Sequence, residues 1–379
     1  MTLQAKRICL VDLDDPWTES HGGTLRTRLF VDAFSEFGCK TDIVYLRHAR
    51  SLEPDTQAQT HPIDRATVGS RPWTMPLRSL KKRYLPMPTM RGGMIGEIRE
   101  AVAGCEPDLL VVSQIRAAPY ADAVPDALLW LDQADVWSAF LDQEIAARHG
   151  LARSTARLQR RHIRRQEISW IQRAKVVTAA GYSDAGLLSR ISGRDIQWLP
   201  TVVQGGEAPR PHGAPLTAGF FANFAFWPNR DAFALLRDEW APVLRNQGWR
   251  VLVAGIGSAS LGQTPGVDVI GEVSHPRDFY SQIDLALAPI RLGGGIKVKV
   301  VEALLWGRPV IGTKQAVDGL SPELANAIPI VARASELRQA VQFATENSKC
   351  SALAHERFSV DGFKSKVADL AVSAVGEGS

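Results

Sequence analysis

The chain has 379 residues, of which 45% are hydrophobic and 22% are charged, with a formal net charge of +4. This length accommodates two or three domains with large cores, which excludes a single small binding module, and the composition excludes a disordered or collagen-like chain. The sequence contains no uninterrupted apolar stretch of about 18 residues, so no membrane span is predicted. The first residues lead directly into a strand pattern without a secretory signal, so we expect a cytoplasmic protein.

The positive surplus lies in the N-terminal half. Lysine and arginine outnumber aspartate and glutamate by 27 to 23 over residues 1–204, whereas the remaining residues carry 17 of each. A basic half favours an anionic partner.

The cysteines are Cys9, Cys39, Cys105 and Cys350, and they include no Cys-x-x-Cys pair. No histidine or aspartate cluster stands near any of them in the sequence at metal-ligand spacing. We therefore expect reduced packing residues and no metal site.

Apolar segments of strand length alternate with amphipathic segments of helix length, which predicts an α/β fold with parallel sheets covered by helices. The predicted strands of the first half are residues 8–13, 41–46, 108–113, 127–132 and 175–179. Residues 200–216 are rich in proline and glycine and have neither a strand nor a helix period. They predict an interdomain linker.

A second series of elements follows this linker. Its predicted strands are residues 219–222, 250–254, 267–270, 285–289 and 309–312, and its predicted helices are residues 229–246, 276–282, 296–306 and 334–346. We expect two Rossmann-like domains, residues 1–204 and 205–358, with the cleft between them as the default ligand site. Residues 359–379 carry a helical period and are expected to pack back on the first domain.

Three acidic residues, Asp12, Asp14 and Asp15, follow the first predicted strand and mimic a metal-binding D-x-D motif. Pro16 and Trp17 follow where phosphatases with such a motif have a small residue. We expect solvated carboxylates here rather than a metal site.

Two basic windows account for the charge surplus, residues 71–91 and residues 148–165, and neither contains an acid. One interpretation is a surface that meets anionic lipid headgroups or a phosphate-bearing acceptor. The other is a solvated helix face and a surface loop. Nucleic acid is not the expected partner, because no nucleic-acid motif accompanies the charge. The candidate surface residues are Arg78, Lys81, Lys82, Arg83, Arg160 and Arg161.

Residues 289–313 form the most informative segment and predict strand, glycine loop, helix, turn and strand. Three consecutive glycines at 293–295 let the backbone approach a ligand closely, and free N–H groups at the helix start favour an anion. Lys297 and Lys299 oppose the helix dipole, a conflict that a bound polyanion would remove. Glu302 stands where a carboxylate could accept hydrogen bonds from a ribose diol. The alternative is a plain turn with solvated lysines and Glu302 paired to Lys299.

This segment resembles the donor-binding motif of GT-B glycosyltransferases, especially glycosyltransferase family 4 and related exopolysaccharide sugar transferases. The resemblance is carried by Gly-Gly-Gly-Ile-Lys-Val-Lys-Val-Val-Glu-Ala-Leu at 293–304 and Gly-Arg-Pro-Val-Ile-Gly-Thr at 307–313. It extends to Phe-Phe-Ala-Asn-Phe-Ala-Phe-Trp-Pro-Asn at 220–229 and, more weakly, to the glycine pair at 22–23 and to Asp-Gln-Ala-Asp-Val-Trp-Ser at 132–138. Ala222 departs from the family's usual glycine, and an expected Arg and Lys pair early in the second domain is not found.

The resemblance implies two Rossmann-like domains facing across a cleft and the transfer of a sugar from a nucleotide-diphosphate sugar to a glycan, lipid-linked or small-molecule hydroxyl. It implies that no metal is required, that anomeric configuration is retained, and that the product serves polysaccharide or glycoconjugate synthesis, with peripheral membrane contact as an option. The expected donor-binding residues are Gly22, Gly23, Asn223, Val273, Gly293, Gly294, Gly295, Ile296, Lys297, Lys299 and Glu302. The expected catalytic residues are Asp135, Lys297, Lys299 and Glu302.

Two other functions fit the same pattern. A nucleotide-sugar epimerase of the non-hydrolysing type would act without an acceptor. A non-catalytic binding protein would bind nucleotide without turnover.

Overall fold

The structure is a computed structural model that describes residues 3–18, 22–48, 51–52, 54–64, 93–147, 150–209, 215–346 and 349–376. The chain divides into two compact units. Unit 1 consists of Met1–Thr201 with Asp361–Ser379, and unit 2 consists of Val202–Val360.

Each unit contains one parallel β-sheet. The strands of unit 1 are β1 (Arg7–Asp12), β2 (Lys40–Arg47), β3 (Gln59–Asp64), β4 (Leu109–Ser113), β5 (Leu128–Gln133), β6 (Val176–Ala179) and β7 (Gln197–Trp198). The strands of unit 2 are β8 (Thr217–Phe221), β9 (Arg250–Ala254), β10 (Asp268–Val269), β11 (Leu285–Ala288) and β12 (Val310–Gly312). In the described residues the strand orders are β3-β2-β1-β4-β5-β6-β7 and β10-β9-β8-β11-β12.

Helices connect successive strands. They are α1 (Gly22–Glu36), α2 (Met94–Cys105), α3 (Gln114–Ala117), α4 (Trp137–Ala147), α5 (Gly150–Arg173), α6 (Tyr182–Ser192), α7 (Trp227–Leu235), α8 (Ala241–Asn246), α9 (Pro276–Tyr280), α10 (Val298–Leu305), α11 (Lys314–Val317), α12 (Pro322–Ala327), α13 (Leu337–Glu346), α14 (Lys349–Arg357) and α15 (Val360–Gly376). No described helix has both the length and the apolar composition needed to cross a bilayer.

The predicted α/β class is confirmed, and two strands escaped prediction. β3 lies at the sheet edge and reads Gln-Thr-His-Pro-Ile-Asp with partly exposed side chains, so it lacks the apolar run of a buried strand. β7 has only two residues. The helix predicted at 229–246 is interrupted by a π-helical turn at Leu236–Trp240.

The strand order places a switch point in each sheet, between β1 and β4 in unit 1 and between β8 and β11 in unit 2. Connections leave these neighbouring strands in opposite directions, which opens a crevice at their carboxyl ends where ligands of α/β proteins bind. The residues that follow these strands are therefore the first candidates for a functional site.

The core of unit 1 includes its C-terminal helix. On α1, Phe30 and Phe34 contact Trp130 of β5 edge-on, with ring centroids 5.4 and 6.3 Å apart. Phe363 of α15 packs against Phe30 at 5.4 Å. The last helix of the chain thus stabilises the first unit.

Each unit also contains a fully buried arginine among its described residues. Arg26 forms two 2.6 Å hydrogen bonds to the Asp132 carboxylate and donates to the Leu199 carbonyl at 2.7 Å. Arg308 donates to the carbonyls of Tyr280, Ala208 and Pro209. Both arginines fasten part of the irregular segment 199–209 to their own unit.

Candidate functional site

The glycine loop connects β11 to α10 and is held in a conformation that requires glycine. Gly293 has φ of 118° and Gly295 has φ of 63°, a region that other residues rarely adopt. Gln315 donates from Nε2 to the Gly293 carbonyl at 2.6 Å. The bend is therefore fixed by its backbone and by the next helix.

Lys297 occupies the N-cap of α10 and is buried, with 8% of its surface exposed. Its Nζ donates to the carbonyls of Gly294 at 3.0 Å and Gly295 at 2.9 Å. In this structure the cation at the helix start is thus stabilised by loop carbonyls, and it organises the bend.

Lys299 lies two residues further along α10 and is partly buried. Its Nζ donates to Asn229 Oδ1 at 2.5 Å and lies 5.3 Å from the centroid of the Phe220 ring. Burial and the neighbouring Lys297 charge lower the pKa of Lys299 to about 7, against the opposing effect of Glu302. A group with this pKa is ready to take up a proton when an anion approaches.

Glu302 projects from the same helix one turn later. The Tyr280 hydroxyl donates to its Oε2 at 2.9 Å, and among the described residues no hydrogen bond reaches Oε1. Burial raises the pKa of Glu302 to about 7, although Tyr280 and Lys299 lower it. Tyr280 is itself buried and stacks on Trp306 at 6.3 Å, which fixes the hydroxyl.

Within the described residues Lys299 and Glu302 form no ion pair, since each contacts a different side chain. The alternative interpretation of a plain i, i+3 salt bridge is therefore not supported by this geometry. Instead both groups are oriented by residues from other elements, Asn229 of α7 and Tyr280 of α9.

Asn223 follows β8 and joins the same network. Its carbonyl accepts from Asn229 Nδ2 at 2.6 Å, while its Oδ1 accepts from the Ala225 N–H at 2.9 Å. Ile296 is buried beside the loop, and Val273 lies partly buried in the irregular stretch after β10. The structure therefore joins Asn223 to Lys299 through Asn229.

The sequence reasoning missed Asn229 and Tyr280 as site residues. Asn229 stands at the end of 220–229, a stretch that carried the family resemblance, and Tyr280 ends α9, 22 residues before Glu302. Only the fold shows that these side chains orient Lys299 and Glu302.

The switch point of unit 1 carries a second polar cluster. Asp12 ends β1, and its carboxylate accepts from the Thr27 hydroxyl at 2.5 Å and from the Asp14 N–H at 2.9 Å. Burial, with the Asp14 charge, raises the pKa of Asp12 to about 7. Asp15 accepts from the N–H groups of His48 and Trp17. The expectation of solvated carboxylates is wrong for Asp12 and Asp15, which are 4% and 2% exposed.

Arg116 completes this cluster. Its Nη2 lies 3.0 Å from Asp14 Oδ2, and its guanidinium lies 5.0 Å from the centroid of the Trp137 ring. Gln114 Oε1 accepts from both Arg116 and Trp137, and Gln114 has a left-handed backbone with φ of 66°. Such a conformation in a residue other than glycine stores strain and is typical of functional sites.

The N-terminal candidates lie near this cluster. Gly22 and Gly23 begin α1, the helix that carries Thr27. Asp135 is partly buried in the short connection between β5 and α4, two residues before Trp137. Sequence reasoning missed Gln114, Arg116 and Trp137, because they approach Asp14 only through the fold.

The basic windows are described in part. Arg78, Lys81, Lys82 and Arg83 lie outside the described residues. Arg160 pairs with Asp142 of α4 at 2.9 Å, whereas Arg161 is exposed on α5. Of these two arginines, Arg161 is the better placed to meet an anionic surface.

Comparison with known proteins supports the resemblance drawn from the sequence. Residues 215–347 match the family described as Glycosyl transferases group 1. A comparison with curated proteins gave no match.

Solved structures match along almost the whole chain. HepE of Anabaena in complex with UDP and glucose has a TM-score of 0.62 at 12% identity, over 97% of this chain and 100% of HepE. A glycosyltransferase from Rickettsia africae gives 0.65 at 12% identity, over 99% and 100%. The lipopolysaccharide outer core galactosyltransferase WaaB gives 0.61 at 13% identity, over 97% and 99%. The predicted GT-B fold is confirmed.

Proposed function

We propose that this chain, which has the GT-B fold and a glycosyltransferase group 1 segment, transfers a sugar from a nucleotide-diphosphate sugar to a hydroxyl acceptor. The observation that carries the proposal is the pair Lys299 and Glu302 on α10, held apart by Asn229 and Tyr280 beside a glycine loop. One anion-binding and one diol-binding group stand next to each other at the carboxyl edge of the unit 2 sheet.

Glu302 holds the ribose of the donor. Tyr280 engages Oε2, so the remaining oxygen is directed to ribose hydroxyls. Hydrogen bonds to a charged acceptor contribute about 1.5–3 kcal/mol. The HepE structures, one with UDP and glucose and another with UDP-glucose, support a nucleotide sugar as the donor.

Lys299 and the N–H groups of the glycine loop stabilise the leaving diphosphate. Glycosyl transfer builds negative charge on the departing phosphate, so donors aimed at it favour the transition state over the ground state. The lowered pKa of Lys299 means that the diphosphate draws a proton onto this amine. With this charge in place the reaction needs no metal.

Unit 1 binds the acceptor at its switch point, and the resemblance implies a catalytic role for Asp135 and a donor-binding role for Gly22 and Gly23. Arg116 and Trp137 offer a cation and an aromatic face there, which suits a polar hydroxylated molecule. Transfer retains the anomeric configuration, as the resemblance implies.

A thermal-shift screen of UDP, GDP, ADP and dTDP sugars tests the donor site. We expect one base to stabilise the protein strongly and Glu302→Ala to cancel that shift, while the exposed control Glu346→Ala keeps it. An equal shift in Glu302→Ala would remove Glu302 from the site.

Turnover separates the proposal from its rivals. Transfer requires both donor and acceptor, continues in the presence of a chelator, and yields a product whose anomeric proton shows the donor's configuration by NMR. Conversion of the donor into an epimeric nucleotide sugar without any acceptor would identify an epimerase. Binding without turnover, across a panel of glycan and lipid-linked acceptors, would identify a binding protein.

A further inference from the structure

Four polar or sulfur side chains converge at the opposite edge of the unit 1 sheet, near the amino ends of the strands. Cys9 of β1 lies directly beside Asp42 of β2 in the parallel register, so both side chains point to the same face. His61 of β3 pairs with Val44, two residues after Asp42, and shares that face. Helix α2 packs over β1, β2 and β3 and ends at Cys105.

Three of these residues have donor atoms at metal-ligand separation. One ligand atom each from Asp42, His61 and Cys105 lies within 4.8 Å of the others. His61 Nε2 lies 2.7 Å from Asp42 Oδ1, and the Cys105 thiol donates to the Ala101 carbonyl at 3.2 Å. A tetrahedral ion with bonds of about 2.0–2.3 Å needs ligand atoms a little over 3 Å apart, which small side-chain rotations provide.

The surroundings suit an ion that reaches the site from solvent. These three residues line an open depression together with Cys39, whereas Cys9 is buried behind them. The Cys9 thiol donates to the Leu10 carbonyl at 3.8 Å, so Cys9 is not counted among the ligands.

Two cations, Arg7 and Lys40, also line the depression. Arg7 pairs with Glu106 at 2.9 Å and donates to the Cys105 carbonyl. Lys40 is exposed to solvent. The Asp42 carboxylate is the acidic group among the three donors.

We propose that Asp42, His61 and Cys105 bind a Zn²⁺ ion, with a water molecule from the depression as the fourth ligand. Thiolate, imidazole and carboxylate are the ligands that zinc takes in proteins, and magnesium or calcium would select oxygen alone. On binding, the Cys105 thiol releases its proton to solvent and the Asp42–His61 hydrogen bond gives way to two metal bonds. The ion joins β2, β3 and α2.

This site is separate from the sugar-transfer chemistry. It lies at the amino ends of the unit 1 strands, whereas the polar cluster around Asp12 and Arg116 lies at their carboxyl ends. Its role is to stabilise unit 1, because a metal that binds only the folded state raises the free energy of unfolding.

Cobalt titration of the full-length protein, after removal of metals by a chelator, tests the proposal. We expect one equivalent of Co²⁺ to give the thiolate charge-transfer band and the visible bands of a tetrahedral site, and Zn²⁺ to displace them. Cys105→Ser should lose the charge-transfer band, and His61→Ala should weaken Co²⁺ binding at least tenfold. Cys39→Ser and Cys350→Ser are matched controls that keep both, and circular dichroism confirms that each variant is folded.

Absence of the charge-transfer band in the unmodified protein would overturn the proposal, as would a band that survives Cys105→Ser and disappears in Cys39→Ser. We also expect Zn²⁺ to raise the melting temperature of the unmodified protein and to leave that of Cys105→Ser unchanged. These readouts are independent of the glycosyltransferase proposal, since they need neither nucleotide nor acceptor.

Discussion

The carboxyl edges of the two sheets carry similar chemistry built from very different lengths of sequence. In unit 2, Lys299 and Glu302 stand three residues apart on one helix, and both have a pKa of about 7. In unit 1, Asp12 has a pKa of about 7, and the ion pair beside it joins Asp14 to Arg116 across 102 residues of chain.

This difference separates two ways of making a site. The unit 2 site is built from a strand, a loop and a helix that follow one another in the chain. Its functional groups, the glycine loop, Lys299 and Glu302, are therefore close together in the sequence. The unit 1 cluster exists only where β1, β4 and β5 end beside the start of α1. Substitutions at the unit 2 edge should therefore change nucleotide affinity, and substitutions at the unit 1 edge should change the KM for the acceptor.

The largest expected effect concerns the buried arginines beneath these edges. Arg26→Met leaves the Asp132 charge buried without its partner, so the free energy of unfolding should fall by about 3–5 kcal/mol. Arg308→Met leaves the carbonyls of Tyr280, Ala208 and Pro209 without this donor and should cost about 1–3 kcal/mol. Urea unfolding measures both. An equal or larger loss for Arg308→Met would contradict the distinction between charged and neutral partners.

Glu302→Gln should have the next largest effect, on nucleotide affinity. Weakening hydrogen bonds to the ribose by about 1.5–3 kcal/mol corresponds to a fall of roughly 10- to 150-fold in affinity by calorimetry. Tyr280→Phe leaves the carboxylate in place without its orienting hydroxyl, so a fall of about threefold to tenfold is expected. Asp14→Asn in unit 1 is the control and should change nucleotide affinity less than about twofold. A larger change would show that the donor also depends on the carboxyl edge of the unit 1 sheet.

Arg116→Met tests the carboxyl edge of the unit 1 sheet. Removing the cation that spans Asp14 and Trp137 should raise the KM for the acceptor by about tenfold, the loss of one charge-assisted contact. Nucleotide affinity should stay unchanged. Steady-state kinetics with a varied acceptor measure the first, and calorimetry the second. A fall in nucleotide affinity with an unchanged acceptor KM would place the acceptor elsewhere.

The last expected effect is a pH signature of the unit 2 pair. The pKa of Glu302 is raised to about 7, so its contribution to stability falls as pH rises from about 4.5 to 7. The pKa of Lys299 is lowered to about 7, so the unfolded chain binds the extra proton and stability rises from pH 7 to about 10.5. The pair therefore contributes least near pH 7.

Urea midpoints measured across this range test that minimum. Glu302→Gln should remove the acidic limb and extend the alkaline limb to lower pH, because Glu302 raises the pKa of Lys299. Lys299→Met should remove the alkaline limb and extend the acidic limb to higher pH, because Lys299 lowers the pKa of Glu302. Identical pH profiles in the variants and the unmodified protein would show that these groups titrate alike in the folded and unfolded chain.

Much of unit 2 could be predicted from the sequence, because its strands are apolar runs and its glycine loop is a local signal. The segment 293–302 gave the loop, both lysines and the glutamate in one stretch. The partner of Lys299 could not be predicted in the same way, because Asn229 lies 70 residues earlier and nothing in its local pattern indicates a contact with a lysine. Strand β3 was missed because its polar edge residues resemble a loop.

The sequence alone determined the α/β class, the position of most strands and the residues of the glycine segment, since periodicity and local motifs depend on neighbours along the chain. The tertiary structure decided which distant groups share a face. Buried Asp12, the Asp14–Arg116 pair and the Asp42, His61 and Cys105 cluster all join residues from separate strands and helices. Strand order and register bring such groups together, and no spacing in the sequence encodes that contact.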